Sequence, residues 1–302
     1  MDSLLQNDEL MKMLNGLGKE ESYFRINVGV GNRLFTERNK AVENLQTNNQ
    51  LVVTPSVGYF HKSGLSLSLT GFLLSENNKT DFYQYALSPS YSYSKGKLLD
   101  ATLSYSHYFK KANYSSSASP FDDEFYGSTT LKKYWIKPGI SVGYSSGKYV
   151  EIINVDTVVV IANRPTPIKF IDTATTSISS FSVAASIEHD FNFYNVLSTK
   201  DGLRFTPQLS LITGMNDYSV SNKKSLQLYN TYVKRRLKRL QRFQSSAGEN
   251  KYEIQSAGLD LDLNYTIGKI YLEPELYLDY YLPNTDDKRF TQIFNFNIGI
   301  TF

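Results

Sequence analysis

"FNFNIGITF", residues 294–302, closes the chain. Phe294, Phe296, Ile298, Ile300 and Phe302 alternate with Asn295, Asn297, Gly299 and Thr301, so one face is apolar and the other small and polar. A period of two is the signature of a strand with one face buried. The same alternation recurs along the whole chain. Phe24, Ile26, Val28 and Val30 interleave with Arg25, Asn27 and Gly29. Leu65, Leu67 and Leu69 interleave with Ser66, Ser68 and Thr70, and Tyr83, Tyr85, Leu87, Tyr91 and Tyr93 with Gln84, Ala86, Ser88, Ser90 and Ser92. Leu259, Leu261, Leu263 and Tyr265 oppose Asp260, Asp262 and Asn264; Leu272, Leu276, Leu278 and Tyr280 oppose Glu273, Glu275 and Asp279.

The pattern predicts twelve strands, including one over 149–161 whose phase is ambiguous. Five connections are expected at one end: 61–64 (HKSG), 94–97 (SKGK), 145–148 (SSGK), 192–202 and 266–269 (TIGK). Four of these carry the glycine that a tight hairpin turn uses for positive φ. The connections at the other end are mostly longer: 37–48, 74–81, 110–129, 162–176, 215–250 and 282–289. Short turns at one end and long loops at the other, with an even strand number, describe an up-and-down antiparallel transmembrane β-barrel. A soluble sandwich would also alternate, but nothing in this chain is left over to cover the Leu/Tyr/Phe face. Residues 22–302 form the expected barrel, preceded by an amphipathic N-terminal helical segment over 1–21 on the side of the short turns.

Composition agrees with this reading. The 302 residues hold 23 Tyr and 18 Phe but no Cys, which excludes disulfides, thiol catalysis and cysteine metal sites. A net charge of +3 is too small to argue for nucleic acid. No run of about 18 apolar residues is present, so no helix spans a membrane, a test that strands escape because their lumen face is polar. Residues 1–21 lack a basic start followed by an apolar core, so the chain is expected to be a mature form.

The ending resembles the C-terminal signal of Gram-negative outer-membrane β-barrels, with Phe294, Phe296, Ile298, Ile300 and Phe302 as the closing-strand residues. The N-terminal stretch "SLLQNDELMKMLNGLGKEESYFRINVGVGNRLF" is similar to mature N-termini of uncharacterised barrels from the Bacteroidota. The resemblance implies a bacterial outer-membrane location and an architecture, not an activity.

Three features are candidates for function. Arg25, Arg204, Asp260, Asp262, Glu273, Glu275 and Asp279 fall in the inward phase of strands near the closure. They read either as an acidic, Arg-braced constriction for cationic or zwitterionic solutes or as salt bridges filling a narrow lumen. In the 215–250 loop, Lys234, Arg235, Arg236, Lys238, Arg239 and Arg242 surround an apolar stripe at helical spacing, suited to lipopolysaccharide phosphates or a partner protein. His107 lies in the outward phase, where a surface lipid hydrolase would place its base, yet no outward serine is apparent beside it. Asp122, Asp123 and Glu124 match no calcium loop, and no cofactor or metal is called for. The expectation is a monomeric, porin-like barrel giving passive or weakly selective passage to small polar solutes. The alternatives are a non-conducting scaffold or accessory subunit that docks a periplasmic or membrane protein, and the lipid hydrolase.

Overall fold

The computed structural model describes residues 21–32, 51–76, 79–94, 96, 98–110, 121–161, 164–228, 243–247, 252–283 and 290–302. The fold is all β. In chain order the strands are β1 (Tyr23–Gly31), β2 (Val52–Phe60), β3 (Leu65–Glu76), β4 (Lys79–Tyr93), β5 (Leu99–Lys110), β6 (Asp123–Leu131), β7 (Lys137–Ile161), β8 (Arg164–Glu188), β9 (Phe191–Tyr194), β10 (Asp201–Leu228), β11 (Phe243–Ala247), β12 (Glu253–Ile267), β13 (Ile270–Tyr281) and β14 (Phe290–Thr301). Pairing runs from β1 in sequence to β8, then to β10, β12, β13 and β14. β14 returns to β1, with Ile26 opposite Ile300 and Val28 opposite Ile298. The result is a closed, twelve-stranded antiparallel barrel. The two short strands extend existing lines: β9 continues β8 along β10, and β11 pairs β10 beyond the end of β12.

The apolar row of each strand faces outward and stays exposed. Leu103 is 63% accessible, and Phe24, Leu65, Ile140, Leu209 and Ile298 are similarly open. No second layer of secondary structure covers this band among the described residues. Inside, Ser66 and Ser90 hydroxyls lie 2.5 Å apart and Ser88 and Ser106 2.8 Å apart, a hydroxyl ladder across β3, β4 and β5.

Several expected boundaries are corrected. Residues 145–148 are not a turn: β7 runs straight through them, with Ser145 opposite Ser180 and Gly147 opposite Ile178. The fifth connection at the short-turn end is instead 132–136. The expected 110–129 loop contains most of β6, whose outward row of Asp123, Phe125, Gly127, Thr129 and Leu131 is too mixed to read as apolar. Most of the expected 162–176 loop is strand in β8, and β10 carries strand to Leu228, deep into the expected 215–250 loop. The connection at 74–81 shrinks to the step between Glu76 and Lys79. The number twelve agrees with the sequence because two differences cancel: β6 stands where a loop is expected, and β7 is one strand where two are expected. The N-terminal helical segment lies almost wholly outside the described residues.

One strand changes face. Register shifts between Phe72 and Leu73 of β3, so that Phe72 pairs Gln84 and Leu73 pairs Phe82. Tyr83 is the extra residue of a β-bulge, and a bulge re-aims its side chain. Tyr83 was expected to point outward; it is instead 0% exposed and packs with Val52, Phe72, Ala86 and Tyr108 inside the wall.

Gly299 shows how tightly the closure is packed. A Cβ there would stand 2.4 Å from the Tyr271 hydroxyl and 2.7 Å from the Ile26 carbonyl oxygen. Gly299→Ala is expected to lower stability by about 1–3 kcal/mol through overpacking of the β1–β14–β13 wall. Urea unfolding in detergent micelles measures this, with Gly127→Ala as the control because its Cβ would find only ordinary contacts, at 3.6 Å or more.

Candidate functional site

Period-two alternation sends Arg25, Arg204, Asp260, Asp262, Glu273, Glu275 and Asp279 into the lumen, and the meander sets their strands side by side. Asp262 is the direct register partner of Glu275 on β13, and of Thr206 on β10. Asp260 pairs Gln208 and Tyr277, and Asp279 pairs Gly258. Arg204 stands opposite Asn264, one strand from the carboxylates. Arg25 lies across β14, on β1, opposite Thr301. The strand neighbours anticipated from the alternation are therefore the ones observed, and all seven residues are in the described part of the wall.

Their partners differ from a salt-bridge network. Among the described residues, the ion pairs found include Lys132–Asp100, Lys137–Asp190, Lys110–Asp122 and His107–Asp123, and none of these takes in Arg25, Arg204, Asp260, Asp262, Glu273 or Glu275. Glu273 accepts a hydrogen bond from the Asn264 amide at 2.6 Å. Asp279 accepts one from the Tyr277 hydroxyl at 3.3 Å. Asp260 Oδ1 is shielded yet receives no protein donor. The Arg25 guanidinium sits against aromatic rings instead of a carboxylate, with its carbon 4.8 Å from the Tyr271 centroid, 5.3 Å from Phe60 and 5.8 Å from Tyr23. Like-charged groups directly across a strand pair repel. Asp262 opposite Glu275 is thus an arrangement that folding alone would not select.

Arg204 acts over a distance on Glu188, Asp190, Asp262 and Glu273. The Lys137–Asp190 pair has no signal in the sequence because it depends on the true start of β7. Asp190 lies between β8 and β9 and accepts from Lys137 Nζ and from the Thr206 hydroxyl, the latter at 2.8 Å.

His107 projects outward from β5, as its phase requires. Its Nδ1 is 2.7 Å from Asp123 Oδ1, the oxygen that also accepts the Tyr105 hydroxyl at 2.6 Å. The residues beside it are Leu87 on β4 and Asp123 on β6, where no serine stands. Ser146 faces Asp123 from the far side, so a carboxylate separates the imidazole from the hydroxyl. A nucleophilic serine needs to touch the base directly, and this order does not provide it. Lys234, Arg235, Arg236, Lys238, Arg239 and Arg242 lie outside the described residues. No group of three or more metal-ligating side chains occurs among the described residues.

No family model and no curated protein sequence matches the chain. Among solved structures it is similar to the NanC porin, at 9% identity and a TM-score of 0.35, over 92% of this chain and 98% of that one. It is also similar to LpxR from Salmonella typhimurium, at 10% identity and a TM-score of 0.32, over 91% and 99% of the two chains. A third is the outer membrane channel DcaP of Acinetobacter baumannii, at 10% identity and a TM-score of 0.24, over 93% and 96%.

The Asp190 contacts carry a pH signature. Burial opposes its ionisation, but the Lys137 and Thr206 hydrogen bonds and the charges of Lys137 and Arg204 outweigh it and hold the carboxyl below its ordinary range. A depressed carboxyl stabilises the fold above its unfolded pKa of about 3.9, and that contribution is lost as pH falls through the lower folded value. Asp190→Asn is therefore expected to be less stable than the parent at neutral pH and to approach it below about pH 4. Unfolding midpoints measured across that range test this.

Proposed function

We propose that the barrel spans a bacterial outer membrane and passes small polar solutes, with a preference for cationic or zwitterionic ones. The observation that carries this is the acidic wall of Asp260, Asp262, Glu273 and Glu275, which forms no ion pair with protein cations among the described residues. Carboxylates held close to one another without a paired cation favour a mobile counter-ion, which is how rings of Asp and Glu select cations. The outward band supports the membrane setting. Apolar surface this extensive is costly in water, and a closed barrel leaves no open edge in hydrocarbon. Phe60 and Tyr271 hold the Arg25 guanidinium against their rings, and its charge acts on Glu273 over a distance without a close ion pair.

The test is single-channel conductance in a planar bilayer. The parent is expected to conduct with a cation preference. Replacing Asp262 and Glu275 together with Asn and Gln is expected to lower the cation-to-anion permeability ratio by at least about twofold. Silence from the parent would favour the non-conducting scaffold, and conductance with unchanged selectivity would remove the acidic wall from the account.

A further inference from the structure

The hydroxyl ladder of the neutral wall stops short of the long-loop end. On β3, Ser66, Ser68 and Thr70 face the lumen, and Phe72 follows them in the same phase. On β4 the inward row passes from Ser90 and Ser88 to Ala86, and on β5 from Ser106 to Tyr108. Val52 stands at the same end of β2. Four adjacent strands therefore change from hydroxyl groups to apolar side chains within their last few residues.

Tyr83 completes the change, and only the bulge brings it there. By alternation it would join Tyr85 and Leu87 on the outer face. The register shift between Phe72 and Leu73 puts it on the same side as Gln84 instead. A tyrosine serving the outer band would need no bulge. Its ring stands 6.3 Å from that of Phe72 at 45°, and Phe72 stands 6.4 Å from Tyr108 at 42°. The Tyr108 hydroxyl donates to Glu124 at 3.2 Å, which ties the rings to β6. Val52, Phe72, Tyr83 and Ala86 form one buried cluster, with Tyr108 packed against it. Ser66, Ser90 and Ser106, deeper in the lumen, stay partly accessible. The section that holds the rings is dry by comparison.

β8, β10 and β12 stand across the barrel from β2, β3 and β4 in the pairing order. Toward this end their inward positions hold Ser182, Gly214 and Gly258, so bulky rings on one side face small residues on the other. Asp262, Glu273 and Glu275 lie nearer the opposite end, close to the 268–269 turn. Charge and width are thus set at different depths. Apolar narrowings in a pore resist wetting and limit what passes. We propose that Phe72, Tyr83 and Tyr108 form the size-limiting constriction of the lumen, with Tyr83 as the residue that sets its width. This rests on the solute-passage reading and adds a filter of width to the filter of charge.

Two variants remove the ring by different routes. Tyr83→Ala truncates it in place. Deletion of Tyr83 takes out the extra residue of the bulge, so that Phe82 and Gln84 fall into regular alternation. Tyr83→Phe is the control, because the Tyr83 hydroxyl makes no hydrogen bond and the ring alone is retained. Slower gel migration after boiling confirms that each variant is folded. Each is then read by single-channel conductance and by the swelling of proteoliposomes in neutral polyols of increasing size. Both ring-removing variants are expected to raise conductance by about twofold or more and to admit larger polyols, with the cation-to-anion ratio unchanged. Tyr83→Phe is expected to match the parent. Unchanged conductance and size limit in both ring-removing variants would overturn the constriction, while a cation-selective parent would leave the solute-passage reading standing. A silent parent with conducting variants would support the constriction and count against passage through the parent barrel. Silence from every folded form would overturn both.

Discussion

Everything in this molecule depends on the hydrogen-bonded seam between β14 and β1. Phe24 and Phe302 exchange backbone hydrogen bonds at 3.1 and 2.9 Å, and the ladder continues to Asn32, whose N–H reaches the Phe294 carbonyl at 3.3 Å. Without the seam the sheet has two raw edges, and a surface carrying Phe24, Ile26, Phe296 and Ile298 would have no stable setting in water or in lipid. With it, every strand of the cylinder has two neighbours, and period-two alternation divides the chain into an apolar outside and a polar inside. The lumen wall is a consequence of that division. Asp262 and Glu275 meet because β12 and β13 are consecutive and in register, and both face inward because their neighbours Leu261 and Leu276 face out.

The seam also explains why the charges remain available. Arg25 is on β1, one strand beyond the closing β14, where Tyr271 and Phe60 offer ring faces. The guanidinium forms no close ion pair there, and its charge, like that of Arg204, reaches Glu273 only over a distance. The acidic wall keeps its field, and the hydroxyl ladder of Ser66, Ser88, Ser90 and Ser106 on the opposite side is wettable without adding charge. The interior is accordingly asymmetric, with one charged wall and one neutral wall.

Much of this was legible in the chain. Alternation identified most of the inward and outward residues, and consecutive pairing placed the Asp strand beside the Glu strand. What escaped has physical causes. β6 opens on Asp123 and Glu124, and its outward row includes Gly127 and Thr129, so its hydrophobic contrast is weak. Ser145, Ser146, Gly147 and Lys148 have turn chemistry, but cross-strand pairing to β8 holds them extended. Tyr83 follows the outward phase in sequence, and only the register shift against β3 turns it inward. The Lys137–Asp190 pair depends on where β7 begins relative to β8, a quantity that belongs to two strands together. The absence of close pairing by Arg25 and Arg204 is a matter of side-chain geometry, which alternation does not specify.

The most direct test of the account is a cross-link at the seam. Val28 and Ile298 are register partners, and antiparallel partners lie within the Cα separation that a disulfide spans. The chain contains no cysteine, so a Val28→Cys, Ile298→Cys variant holds a single possible intramolecular bridge. Mild oxidation of the folded protein should close that bridge within one chain, and a Val28→Cys, Phe294→Cys variant, displaced along the strand, should not form it. Equal bridging by both variants, or by neither, would mean that β1 and β14 are not held in this register, and the closed barrel with its sorted wall would fall with them.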